Sequence, residues 1–172
     1  MLLYITLLSI SLISTLIAYY SWKTGISPMP SSPRARKAIL SLIPLNFSGT
    51  VYELGSGWGS LSIPLAKKFK NAKIVAFELS LIPYLWSKLI IKLLRLENIE
   101  LKQLDFMSIK WNNADIITCY LYPAAMRKIS KKLKLDKVNA IIISNSFHLP
   151  GHKANKELII KSIFSSSIYL YS

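Results

Sequence analysis

Apolar positions between residues 50 and 147 alternate between short β-rich runs and longer segments with helical spacing. The predicted strands are TVYEL, KIVAFEL, IELKQLDF, ADIITCYLY and AIIISNSF. The predicted helices are SLSIPLAKKF, IPYLWSKLIIKLLRL and AAMRKISKKL. Strands that alternate with helices form a parallel sheet covered on both faces, because each right-handed crossover returns the chain to the same edge. The pattern therefore predicts an α/β fold.

The C-terminal segment KELIIKSIFSSSIYLYS has a different pattern. It contains two β-rich pieces around FSSS, with no segment of helical length between them. Such closely spaced strands pair antiparallel, since a parallel crossover needs about a dozen residues or more. We therefore expect a C-terminal antiparallel hairpin that closes one edge of the sheet.

The N-terminal apolar segment is much longer than these runs. Residues 2–22, LLYITLLSISLISTLIAYYSW, contain no charged residue, and about 20 apolar residues in a helix span the core of a bilayer. This length argues against a buried core helix. A cleaved signal peptide is disfavoured because no basic region precedes the apolar run. We predict a retained single-pass transmembrane helix.

Basic residues follow this helix in the sequence. They are Lys23, Arg34, Arg36 and Lys37. The positive-inside rule therefore places the rest of the chain in the cytoplasm.

Prolines at positions 28, 30 and 33 mark a linker after the helix. Pro33 suits the first turn of a short second helix, with Ser32 as its N-cap. The expected organisation is a transmembrane anchor at 1–25, a linker with a short helix at 26–49, and a domain at 50–172.

The chain carries a formal net charge of +14, which favours nucleic acid or anionic lipid headgroups as partners. Solvated helix faces account for most of the lysines. An anionic membrane surface is the next best account because an anchor precedes the domain, and RNA ranks third because no RNA-binding module is present.

The single cysteine, Cys119, excludes an intramolecular disulfide. No residue cluster has metal-ligand spacing, so we predict no metal.

The stretch VYELGSGWGS places Gly55, Gly57 and Gly59 between a predicted strand and a predicted helix. At this point an α/β sheet offers backbone N–H groups to a ligand. A dinucleotide motif would need glycine where this chain has Ser60, and a P-loop would need a Gly-Lys-Ser/Thr ending. The turn therefore favours a nucleotide-like ligand of another kind.

Three acidic residues accompany this turn. Glu53 precedes the glycines, Glu78 ends the second predicted strand, and Asp105 ends the third. A carboxylate at the position of Glu78 can accept both hydroxyls of a ribose, as the acid about 20 positions beyond the glycines does in dinucleotide sites. We expect the three acids to share one ligand.

The motif ELGSGWG with these acids resembles the class I S-adenosylmethionine-dependent methyltransferases over roughly residues 30–172. The resemblance implies a Rossmann-like sheet and S-adenosyl-L-methionine as cofactor. It implies that Glu53 contacts the methionine end directly or indirectly, that Glu78 holds the ribose and that Asp105 reaches the adenine amine. The turn completes the implied cofactor site with Gly55, Ser56, Gly57 and Gly59.

Further segments resemble a smaller group within this class. They are the apolar N-terminus, SPMPSSPRARKAIL, CYLYPAAMRKISKKL, SNSFHLPGH and the terminal YLYS. The group comprises membrane-anchored protein-lysine methyltransferases related to the ATP synthase c-subunit lysine methyltransferase. This resemblance implies a protein substrate with an accessible lysine, and places Pro30, Ser31 and Ser32 near the active site. YLYP departs from the Asn/Asp-Pro-Pro-Tyr/Phe signature of enzymes that methylate base or glutamine nitrogens, which disfavours nucleic acid.

Candidates for the catalytic side are Tyr120 and Tyr122 after the fourth strand and His148 after the fifth. The tyrosines could face an amine in the acceptor channel, and His148 could act as a general base. Strand-end packing explains the tyrosines equally well, and a lone loop histidine is more often structural. A lipid or small-molecule acceptor and a catalytically silent scaffold remain as alternatives.

Overall fold

The fold is described from a computed structural model, which covers residues 1–24, 29–161 and 165–172. This part of the chain forms five α-helices and seven strands. In chain order they are α1 (Leu2–Thr24), α2 (Pro33–Leu42), β1 (Thr50–Leu54), α3 (Ser62–Lys68), β2 (Lys73–Phe77), α4 (Leu81–Leu93), β3 (Ile99–Lys102), β4 (Ile116–Cys119), α5 (Pro123–Leu135), β5 (Ile141–Asn145), β6 (Lys156–Ile160) and β7 (Ser166–Tyr171).

The strands form a single sheet in the order β3-β2-β1-β4-β5-β7-β6. β1 to β5 are parallel, and β7 runs antiparallel to both of its neighbours. The predicted Rossmann-like sheet with a C-terminal antiparallel hairpin is therefore confirmed. Strand order reverses between β1 and β4, and ligands of open α/β sheets bind in the crevice beyond the strand ends at such a point.

Two apolar layers cover the sheet. α2 and α3 pack on one face through residues such as Ile39 and Leu65, and α5 packs on the other through Met126. Consecutive residues of β1 serve opposite layers, since Val51 belongs to the first and Tyr52 to the second. This period of two is the alternation expected of a strand buried on both faces.

α2 begins as the sequence predicts. Pro33 is its first residue, and the side chain of Ser32 accepts a hydrogen bond from the Ala35 N–H at 3.2 Å. The cap satisfies a backbone donor that the first helical turn leaves without a partner.

β3 and β4 end earlier than the pattern predicts. A 3₁₀ turn at Phe106–Ser108 follows β3, and Asp105 caps it by accepting from the Met107 N–H at 2.8 Å. The aspartate offers the backbone an alternative to the strand ladder. Tyr120 and Tyr122 lie beyond β4, in the loop that leads into α5.

α1 lies outside both apolar layers. Its stretch Leu3–Trp22 has a mean hydropathy of 1.7 and is not buried. Ser9 and Thr15 each donate to a carbonyl one turn back at 2.8 Å, so these hydroxyls are satisfied within the helix. By length and composition, α1 is the one helix among the described residues that could cross a membrane. α1 also contacts α4.

Candidate functional site

The glycine turn after β1 exposes its backbone to the crevice. Gly57 and Gly59 have φ angles of +54° and +73°, in the left-handed region that glycine tolerates best. A Cβ added to Gly57 would meet no atom within 4 Å. The N–H groups of Gly55 and Ser56 donate to the Phe77 carbonyl on β2 at 3.0 and 2.8 Å. The turn is thus fixed to the sheet while open space borders its backbone.

Glu78 connects this turn to the start of α4. Its Oε2 accepts a hydrogen bond from the Gly57 N–H at 2.7 Å, and its Oε1 accepts one from the Ser80 N–H at 2.6 Å. The side chain is buried. Because each carboxylate oxygen has a further lone pair, Glu78 can still accept hydroxyl groups of a ligand.

Glu53 is a buried acid on β1, two positions before the turn. Its side chain is 5% exposed, and its Oε2 has no hydrogen-bond partner among the described residues. Burial raises the pKa of Glu53 to about 8; Ser62 opposes this rise and the charge of Glu78 adds to it. Glu53 is therefore mostly protonated at neutral pH. The hydroxyl of Ser56 is also buried without a partner in the described part of the chain, and such groups cost free energy unless a ligand or water satisfies them.

Replacing Glu53 with glutamine should change how stability depends on pH. The native carboxyl has a pKa of about 8, whereas the ordinary value is 4.5. Between these values the unfolded chain loses a proton that the native state keeps. The wild-type free energy of unfolding should therefore fall, relative to that of Glu53→Gln, by up to about 1.4 kcal/mol per pH unit as pH rises through this window. Urea unfolding in detergent at about pH 5 and about pH 8 measures this difference, and a difference independent of pH would contradict it.

A cavity of about 480 Å³ lies among these groups. Its lining includes six of the residues predicted for the cofactor: Glu53, Gly55, Ser56, Gly57, Glu78 and Asp105. Tyr120 and Tyr122 line the same cavity. Its volume lies within the range of about 300–1,000 Å³ that is usual for small-molecule sites. The predicted cofactor side and the predicted acceptor side therefore meet in one space.

Two of the predicted cofactor-binding and catalytic residues lie outside this lining. Gly59 borders a more open depression of about 580 Å³ beside α3, and His148 is exposed. We place the site in the smaller cavity because it contains Glu53 and Ser56, whose buried oxygens have no partner in the described structure. The role of His148 as a base stays a prediction, without a place in the cavity wall.

The segment after α1 also reaches the cavity. Met29 and Ser31 are among its lining residues. The Ser31 N–H donates to the Ser60 hydroxyl, and the Asn145 side-chain amide donates to the Ser31 hydroxyl, both at 3.2 Å. These bonds hold the segment between the glycine turn and the end of β5.

Met29, Lys128 and Phe147 are among the lining residues that sequence reasoning missed. Lys128 lies in the first half of α5, where the sequence shows only one lysine among many. Phe147 follows β5 in the SNSFHLP segment, close to the histidine that the sequence favoured. The SNSFHLP segment indicated that residues after β5 belong to the site. Its residue spacing could not indicate which of its side chains faces the cavity.

The chain matches one known family in sequence and several solved structures in fold. A model of the ANTKMT methyltransferase domain matches residues 53–156. A comparison with curated protein sequences gives no match. Similar solved structures include an RNA methyltransferase from Salinibacter ruber in complex with S-adenosyl-L-homocysteine, with a TM-score of 0.74 and 19% identity over 83% of this chain and 92% of that one.

Two further structures have the same fold. The putative methyltransferase yhhF from Escherichia coli has a TM-score of 0.67 and 15% identity over 83% of this chain and 87% of its own. A precorrin-6y C5,15-methyltransferase from Geobacter metallireducens has a TM-score of 0.63 and 14% identity over 83% of this chain and 90% of its own. The RNA methyltransferase and the precorrin methyltransferase are named for different acceptors, so the shared fold does not identify the acceptor.

Proposed function

The chain belongs to the ANTKMT methyltransferase domain family, and from this premise we propose that it is a membrane-anchored protein-lysine N-methyltransferase. It is a methyltransferase, and its cofactor is S-adenosylmethionine. The lysine acceptor is supported by the sequence resemblance to membrane-anchored protein-lysine methyltransferases. The membrane location is supported by α1. The basic residues that follow α1 in the sequence support a catalytic domain on the cytoplasmic side.

The residues around the cavity fit this cofactor. The open space at Gly57 and the buried oxygens of Glu53 and Ser56 leave polar groups for a ligand to satisfy. In our proposal Glu53 holds the methionine end, Glu78 the ribose and Asp105 the adenine amine. When bound, S-adenosylmethionine supplies a methyl group that its positively charged sulfur has already activated.

The acceptor side must receive a lysine in its neutral form. Tyr120, Tyr122 and Phe147 supply aromatic surface after β4 and β5, and an apolar wall disfavours a charged amine. Lys128 adds a positive charge to the same lining, and a like charge lowers the pKa of an arriving amine. The methyl group of the cofactor is already activated, so the acceptor amine mainly has to be aligned with it. Positioning of the lysine by these side chains is therefore the main contribution of the protein.

The membrane part of the proposal depends on one observation, the short connection between α1 and the cavity. α1 ends at Thr24, and Met29, five positions later, lines the cavity. Five residues span at most about 18 Å. A helix that crosses the bilayer therefore keeps the cavity close to the membrane surface, where lysines of membrane proteins are within reach.

Transfer of a labelled methyl group tests the acceptor class. Full-length protein is incubated with labelled S-adenosylmethionine and a membrane fraction, and the labelled material is hydrolysed and separated. We expect the label in Nε-methyl-lysine. Label in a nucleoside or a lipid would contradict lysine as the acceptor but would leave the assignment as a methyltransferase intact. No label above that of a heat-treated control would contradict catalytic activity on this membrane fraction.

A further inference from the structure

The outer face of α4 is apolar and exposed. Leu85, Trp86, Leu89 and Leu93 are between 50% and 67% exposed. With about 100° per residue, these four side chains fall within an arc of about 100° on one side of the helix. The opposite side is buried through Pro83 and Ser87. The helix therefore presents a continuous apolar stripe to its surroundings.

Two lysines lie directly beside this stripe. Lys88 and Lys92 are exposed, and on the helix they are adjacent to Leu85 and Leu89. α4 contains no acidic residue. An apolar stripe flanked by lysines is typical of a helix that lies in a membrane interface, where the lysine ammonium groups reach anionic headgroups.

The helix that carries the stripe lies against α1. α1 is the membrane-length helix, and its stretch Leu3–Trp22 is not buried. A partner for the stripe must therefore lie beside α1. The bilayer that α1 would cross lies beside α4, and its anionic headgroups complement the lysines of α4.

We propose that the outer face of α4 inserts into the interface of an anionic bilayer, the same one that α1 spans. The inference rests on the proposed membrane location, and it adds a second point of attachment. The inner face of α4 holds the cofactor turn, because the Ser87 hydroxyl donates to the Gly57 carbonyl at 2.9 Å. Two attachments thus fix the orientation of the cavity relative to the membrane, which a single attachment would leave free.

Depth measurements on the full chain test this inference. Single cysteines at Leu8 in α1, Leu89 in α4 and Ile159 in β6 are labelled with a nitroxide, and the proteins are placed in vesicles of phosphatidylcholine and phosphatidylglycerol. The native Cys119 is buried. The unsubstituted protein, treated with the same reagent, gives the background labelling of this cysteine. Ile159→Cys is the matched control because Ile159 is also an exposed aliphatic residue. It lies on β6, at the sheet edge opposite β3, and β3 is the strand that α4 contacts. Six strand spacings put that edge about 29 Å from β3.

We expect the Leu8→Cys label in the hydrocarbon, the Leu89→Cys label about 5–10 Å into the boundary between headgroups and acyl chains, and the Ile159→Cys label in water. Collisions with oxygen and with a water-soluble nickel complex give these depths. A Leu89→Cys label in water, together with a Leu8→Cys label in the hydrocarbon, would overturn the insertion of α4 but not the membrane location of α1. A Leu89→Cys label shielded from both reagents would also overturn it, since a protein partner or a second copy would then cover the stripe. A Leu8→Cys label in water would overturn the membrane location itself.

Discussion

Replacing Glu78 with alanine should weaken the binding of S-adenosylmethionine about 10- to 100-fold. Loss of a charge-assisted hydrogen bond costs about 1.5–3 kcal/mol. Glu78 also joins the Gly57 N–H to the Ser80 N–H, so the variant loses a support of the glycine turn as well. Titration calorimetry of the full-length protein in detergent measures the change in affinity.

Glu100→Ala is the matched control for this variant. Glu100 is an exposed acid on the neighbouring strand β3, and it pairs with Lys73 at 3.1 Å and Lys102 at 3.0 Å. Surface ion pairs of this kind contribute little to stability, and Glu100 is not part of the cavity lining. We expect Glu100→Ala to bind the cofactor normally. A folded Glu78→Ala protein with unchanged affinity would count against the assignment of the site.

The strand and helix pattern predicted the fold because each element carries its own periodicity. β1, for example, is TVYEL in the sequence and Thr50–Leu54 in the structure. The position of β7 between β5 and β6 was not predicted. Strand order in a hairpin at a sheet edge depends on which strand fits the neighbouring edge, and neither strand's own pattern encodes that choice.

The acids of the site were predictable for a topological reason. Carboxyl ends of parallel strands meet at one edge of a sheet, so Glu53, Glu78 and Asp105 could be expected near one cavity. The Asn145 to Ser31 hydrogen bond joins residues 114 positions apart. No local pattern indicates such a pair. It becomes visible only when the packing of the linker segment on the sheet is known.

Separating α1 from the domain should slow methylation of a membrane-embedded lysine about 10- to 100-fold. A tether raises the effective concentration of a substrate that shares the same membrane, by factors of about 10²–10⁴ in favourable cases. We expect a smaller loss because the interfacial face of α4 would retain weak, reversible attachment. Cofactor binding should not change, since none of the α1 residues whose side chains the structure describes lines the cavity.

The most direct measurement of the membrane proposal compares one lysine in two settings. A protease site is inserted between Thr24 and Met29, the protein is placed in vesicles, and the chain is cut after it has folded. Initial methylation rates are measured on a transmembrane peptide in the same vesicles and on a soluble peptide that carries the same lysine sequence, with the uncut protein as control. We expect cutting to lower the rate on the transmembrane peptide and to leave the rate on the soluble peptide unchanged. Equal rates on the transmembrane peptide before and after cutting would contradict it.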